Sequence, residues 1–149
     1  MKSDPAAYCR GLADTPELSV EEIEQLKQRA QQAFEGIVFT TSYEAAAKDA
    51  DLVIEAIAED PKRKDAFYAE LAKYLPESTI LVTNSSTLLP SQIAASTGRP
   101  EKFLALHFAN RIWRNNTAEV MGHPGTDQAA YDEVVRFAAD LGMVPLQLH

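Results

Sequence analysis

LVIEAIAEDPKRKDAFYAELAKYLPESTILVT, residues 52–83, decides the fold class. Its ends, 52–57 (LVIEAI) and 79–83 (TILVT), are apolar runs too short for helices and rich in β-branched residues, so each reads as a buried strand. Between them, 62–74 places Phe67, Leu71 and Tyr74 on one side at helical spacing. Strand, helix and strand make one βαβ unit.

The alternation continues outward. Toward the C-terminus, 90–96 reads as a helix, with Pro100 stopping the turn after it, and 103–106 as a third strand. A fourth strand is predicted at 118–121, then a helix over 127–141 ended by Gly142, then a last strand at 143–148. Toward the N-terminus, 42–48 is a short Ala-rich helix and 37–40 a short strand. Ser19 and Glu22 form a capping box. Ile23, Leu26, Ala30 and Ala33 follow as one apolar stripe, and Gly36 ends that helix. Residues 1–18, punctuated by Pro5, Gly11 and Pro16, show no period. Neither an internal repeat nor a low-complexity segment interrupts the series. The pattern predicts an α/β fold, a doubly wound parallel sheet covered on both faces and joined by right-handed crossovers.

A length of 149 residues suits one domain, and 46% apolar residues suffice for a core. The formal charge of −8, from 14 basic against 22 acidic residues, offers no field for a nucleic-acid chain or an anionic membrane. One phosphorylated ligand remains compatible, because it needs only local donors. Cys9 stands alone, so no internal disulfide forms. Without an apolar span or a signal pattern, a soluble cytoplasmic protein is expected.

In parallel sheets, ligands bind beyond the carboxyl ends of the strands. Glu59 follows the first buried strand, Asn84-Ser85-Ser86 the second and His107-Phe108-Ala109-Asn110 the third. Histidine moves protons near neutral pH, and Glu119, twelve residues beyond His107, can return to the same edge as its partner. A core histidine with an ordinary surface glutamate fits the same spacing. Asn84, Ser85, Ser86 and Thr87 suit either a carbonyl oxygen and a nicotinamide edge or a helix cap, and one residue of each kind satisfies both. Glu55, inside an apolar strand, needs a partner or a wet cavity; a salt link and a functional role are both open. Glu59 and Lys64 suit a cofactor's ribose or amide, or a solvated ion pair. His123, between Gly122 and Pro124, reads as a turn histidine. No Cys or Asp pairs with the three histidines at ligand spacing, which argues against a metal. No G-x-S-x-G marks a hydrolase elbow.

Taken in order, ADLVIEAIAED (50–60), Lys64, TNSSTL (83–88), RPEKFLALHFAN (99–110) and AEVMG (118–122) resemble the 3-hydroxyacyl-CoA dehydrogenases. The similarity covers residues 37–148. It implies an oxidoreductase that passes hydride from C3 of a 3-hydroxyacyl-CoA to NAD, giving the 3-ketoacyl-CoA. His107 matches the general base, Glu119 the residue that orients it, and Ser86 the serine that hydrogen-bonds the substrate oxygen. Glu59, Lys64 and Asn110 match cofactor contacts, and Asn84, whose amide suits a nicotinamide edge, is counted with them. Where the family commonly has HFFNP, this chain has His107-Phe108-Ala109-Asn110-Arg111, followed by Ile112 and Trp113. Dehydrogenases of related fold that use a catalytic lysine find no match.

No G-x-G-x-x-G occurs, whereas the family opens with a strand, that glycine loop, a helix and a second strand. The resemblance therefore predicts a partial Rossmann-type sheet lacking the first βαβ unit, truncated at both ends. Residues 1–149 form a single incomplete NAD-binding domain, with 1–36 a helical lead-in and 37–149 the core. With its neighbours missing, the 37–40 strand is expected either to pair with 52–57 or to leave a gap that a second chain fills. Two readings follow: a dehydrogenase fragment, inactive alone, or a non-catalytic module that forms homo-oligomers.

Overall fold

The computed structural model describes residues 18–112 and 114–148. Cys9 and the unpatterned start of the chain, with Trp113 and His149, lie outside the described residues. Helices α1 (Val20–Glu35) and α2 (Tyr43–Ala47) lead into strand β1 (Leu52–Glu55), helix α3 (Pro61–Leu71), strand β2 (Ile80–Thr83) and helix α4 (Pro90–Ile93). Two 3-10 turns, Ala94–Thr97 and Pro100–Lys102, precede strands β3 (Phe103–Phe108) and β4 (Thr117–Met121). Helix α5 (Gln128–Asp140) and strand β5 (Val144–Leu148) complete the series.

Local chemistry sets the boundaries. Asp60 starts α3: its Oδ1 accepts from the Lys62 and Arg63 amides, and Pro61 occupies the first turn, where its missing N–H costs nothing. The Ser19–Glu22 capping box opens α1. Gly142, at φ 78°, ends α5 in the left-handed conformation while the Met143 amide bonds back to the Ala138 carbonyl.

The five strands lie in chain order. β1, β2 and β3 run parallel, β4 is antiparallel to β3, and β5 is parallel to β4. The expectation of an all-parallel sheet fails at this one pairing. Residues 109–116 are too few for a crossover, so the chain turns straight back. The reversal moves the covering helix. Right-handed crossovers advancing in one direction place α3 and α4 on one face, but with the strand direction inverted they place α5 on the other. Two cores result. Tyr68, Leu71, Leu81, Ile93 and Phe103 fill the first, and Val82, Leu104, Leu106, Val120, Tyr131 and Val134 the second.

The predicted strand at 37–40 is absent: those residues have no regular structure, and Val38 and Phe39 are each 85% exposed. A strand exists only through a ladder partner, and β1 bonds only to β2, leaving its outer edge open. The segment has not moved onto that edge. The α1 stripe likewise meets no core, since no residue of α1 is buried. Ile54 and Ile57 stay exposed because α5 does not reach the β1 end of the sheet. No helix of the described residues is long and apolar enough to cross a membrane.

Candidate active site

The antiparallel turn builds the site. In the β3–β4 ladder His107 stands directly opposite Glu119, so both side chains leave the same face of the sheet. His107 Nδ1 lies 3.0 Å from Glu119 Oε2. A carboxylate only accepts, so Nδ1 donates to it, and in the neutral ring Nε2 keeps its lone pair. That nitrogen has no protein partner among the described residues. Ring and carboxylate are both partly exposed, at 26% and 47% of their side-chain surface, as groups that meet a ligand must be. Beside them Ser86, Thr87, Leu89, Ala105 and Met121 line a cleft.

The turn after β2 supplies the opposite wall. Ser86 is exposed, and its hydroxyl has no protein partner among the described residues. Its amide donates to Glu59 Oε1 at 2.9 Å, and the Ser85 hydroxyl donates to Glu59 Oε2 at 2.8 Å. The same hydroxyl accepts from the Leu88 amide at 3.0 Å, which is the capping role. Thus Ser85 caps while Ser86 faces open space. Asn84 Oδ1 accepts from the Phe108 amide at 2.9 Å, extending the β2–β3 pairing by a side chain. Asn110 lies in the exposed turn after β3, its carbonyl taking the Asn115 side-chain amide at 2.6 Å. The next residue, Arg111, has φ 59°, a sparsely occupied conformation for an L side chain.

Glu59 and Lys64 do not form the solvated pair that their spacing allows. The Lys64 ammonium lies 2.7 and 2.8 Å from the two Glu55 oxygens, with its side chain 1% exposed. Glu55 also accepts from the Tyr68 hydroxyl at 2.5 Å, the Thr83 hydroxyl at 2.8 Å and the Ile57 amide at 2.6 Å. The salt link is therefore the outcome for Glu55. Burial works against its charge, but the bonds from Lys64, Tyr68, Thr83 and Ile57 outweigh it and hold the carboxyl below its ordinary range. Burial and the adjoining carboxylate push the Tyr68 hydroxyl far up. Sequence reasoning passed over Tyr68 and Thr83. A signal existed for each: Tyr68 lies four residues after Lys64 on one helix face, and Thr83 pairs with Glu55 in the β1–β2 register.

His123 is the turn histidine that its neighbours predict. Nδ1 accepts from the Gly125 amide at 3.1 Å, so Nε2 donates to the Pro100 carbonyl at 2.8 Å.

The family described as "3-hydroxyacyl-CoA dehydrogenase, NAD binding domain" matches residues 6–149. The fatty acid oxidation complex subunit alpha of Acinetobacter baumannii is 32% identical over 139 residues, covering 91% of this chain and 19% of its own length. The chain thus spans about a fifth of that relative. Among solved structures, a diketoreductase described as acting on dicarbonyl compounds is 40% identical, with a TM-score of 0.78 over 97% of this chain and 58% of its own. The 3-hydroxybutyryl-CoA dehydrogenase of Escherichia coli K12 is 28% identical, with a TM-score of 0.73 over 96% of this chain and 29% of its own. A histidine–glutamate pair at the carboxyl edge of a Rossmann-type sheet and a family match across nearly the whole length lead to one assignment: the chain belongs to the 3-hydroxyacyl-CoA dehydrogenase NAD-binding domain family, whose cofactor is NAD.

Proposed function

We propose that this domain serves the oxidation of a 3-hydroxyacyl-CoA to the 3-ketoacyl-CoA. The observation that carries the reading is the His107–Glu119 pair beside the free Ser86 hydroxyl. His107 Nε2 takes the proton of the 3-hydroxyl group as the C3–H bond breaks. Glu119 holds the ring and stabilises its charged form. Ser86 Oγ hydrogen-bonds the substrate oxygen. A bound NAD supplies the acceptor for the hydride that leaves C3.

The cofactor's nicotinamide end suits the groups present: Glu59 at the β1 end, Ser86 at the β2 end and Asn110 at the β3 end. Lys64 and Asn84 serve that end from within the frame. The pyrophosphate end does not find its usual cradle of backbone N–H groups, because the 149 residues hold no G-x-G-x-x-G. In this reading residues 1–149 are one incomplete NAD-binding domain, with 1–36 a lead-in to the 37–149 core, inactive alone and cytoplasmic. Kinship with a fatty acid oxidation subunit supports the substrate class.

A chimera tests the chemistry. Residues 37–148 replace the matching segment of the Escherichia coli 3-hydroxybutyryl-CoA dehydrogenase, and NADH formation from 3-hydroxybutyryl-CoA is followed. Turnover that His107→Ala removes is the expected result. A chimera that folds and binds NADH yet turns over nothing ends the reading. Because the 40% identical structure is that of a diketoreductase, reduction of a free dicarbonyl compound is assayed beside it.

A second reading, a non-catalytic module that oligomerises, is favoured by the open outer edge of β1 and by the exposed Ile37, Val38 and Phe39 nearby in the chain. Its partner is a second copy of the chain.

A further inference from the structure

We infer that the buried quartet Glu55, Lys64, Tyr68 and Thr83 is a positioning device, which sets the Ser85–Ser86 turn and the Glu59 carboxylate without touching any ligand. Its functional meaning rests on the cleft beside Ser86 being the reaction site; its geometry does not. One chain of hydrogen bonds runs from the core to the mouth of the cleft. It begins at the Lys64 ammonium and the Tyr68 hydroxyl, both donating to Glu55. Thr83 Oγ1 donates to Glu55 Oε2 and so has its lone pairs free to accept from the Ser85 amide, at 3.2 Å. Ser85 Oγ then donates to Glu59 Oε2, and Glu59 Oε1 takes the Ser86 amide. A second branch leaves Glu55 Oε1 for the Ile57 amide and fixes where the chain leaves β1 toward Glu59.

Direction makes this more than a satisfied core pair. Glu55 ties the exits of two neighbouring strands from within the core, β1 through Ile57 and β2 through Thr83. A buried carboxylate could be neutralised by the ammonium alone; here five donor contacts converge on it from four other residues. Such a fully connected buried network is rigid and admits one geometry. Lys64 therefore acts through Glu55, since its 1% exposed side chain leaves no surface for a cofactor.

Thr83→Val removes the relay hydroxyl at nearly constant shape, and Thr83→Ser restores it. Tyr68→Phe cuts the network one step further from the mouth and serves if Thr83→Val does not fold. The reporters are the backbone amide resonances of Ser85 and Ser86 in the ligand-free 149-residue chain, and NADH affinity in the chimera that carries residues 37–148. The expected result is that Thr83→Val and Tyr68→Phe shift both resonances, and Thr83→Ser returns them to the unaltered positions. NADH affinity falls by roughly 3- to 10-fold in step, the range of one ordinary hydrogen bond. Loss of thermal stability with the two amides and the affinity unmoved would overturn the inference, leaving a merely structural pair. If the unaltered chimera binds no NADH, the reading of the cleft loses support, and the Ser85 and Ser86 amides alone decide the positioning claim.

Discussion

Two residue pairs of similar composition do opposite work. His107 and Glu119 are joined by one hydrogen bond at the surface, whereas Lys64 and Glu55 are enclosed and bonded on both oxygens. The first pair is open to a ligand; the second is enclosed by protein. In the chimera, His107→Ala should lower kcat by about 10²–10⁴-fold, the usual share of a general base, with Glu119→Gln lower than the unaltered protein but above His107→Ala. Equal turnover in all three would remove the base. Lys64→Met should lower unfolding free energy by about 3–5 kcal/mol, because it leaves the Glu55 charge buried and unpaired; urea titration reads it. The folded state holds the Glu55 carboxyl below its unfolded value. Its contribution is therefore present at neutral pH and lost as acid passes below the ordinary carboxylate range. Urea midpoints measured from pH 7 downward should show that decline, and a Lys64→Met chain should lack part of it.

Among the elements, α3 matters beyond its packing, because it begins directly after Glu59 and carries Lys64 and Tyr68. Asp60 sets its first turn, so Asp60→Ala should cost about 1 kcal/mol, measured as a lowered urea midpoint at unchanged slope. A cost near zero would mean that the turn is held from elsewhere. The strands near the site were legible because their apolar runs are short and bounded by turn residues. The strand predicted at 37–40 fails for the same reason: Ile37, Val38 and Phe39 have strand composition, but pairing depends on a neighbour that composition does not report.

At the scale of the whole molecule the sheet is unevenly covered. Its β3–β5 half carries α5, while the β1 edge is open and α1 buries nothing. Open edges recruit strands, so light scattering should give a mass above the monomer that rises with concentration; a strict monomer at high concentration would dismiss the oligomerising module. Isothermal titration of NAD into the isolated chain should give weak binding or none, since its 149 residues carry no G-x-G-x-x-G to hold the pyrophosphate. Tight binding would contradict that account.

Periodicity and strand-end chemistry, both local, were enough to place the α/β class, most elements and the polar residues at the carboxyl edge. The spacing of His107 and Glu119 favoured a core histidine over a catalytic pair, and the family resemblance reversed that balance. Only the tertiary structure decided that β4 runs back along β3, which puts the two residues face to face. It also decided that Lys64 turns inward to Glu55 rather than outward. Both outcomes depend on which strand or helix lies alongside, and contacts between distant segments leave no periodic trace in the chain itself.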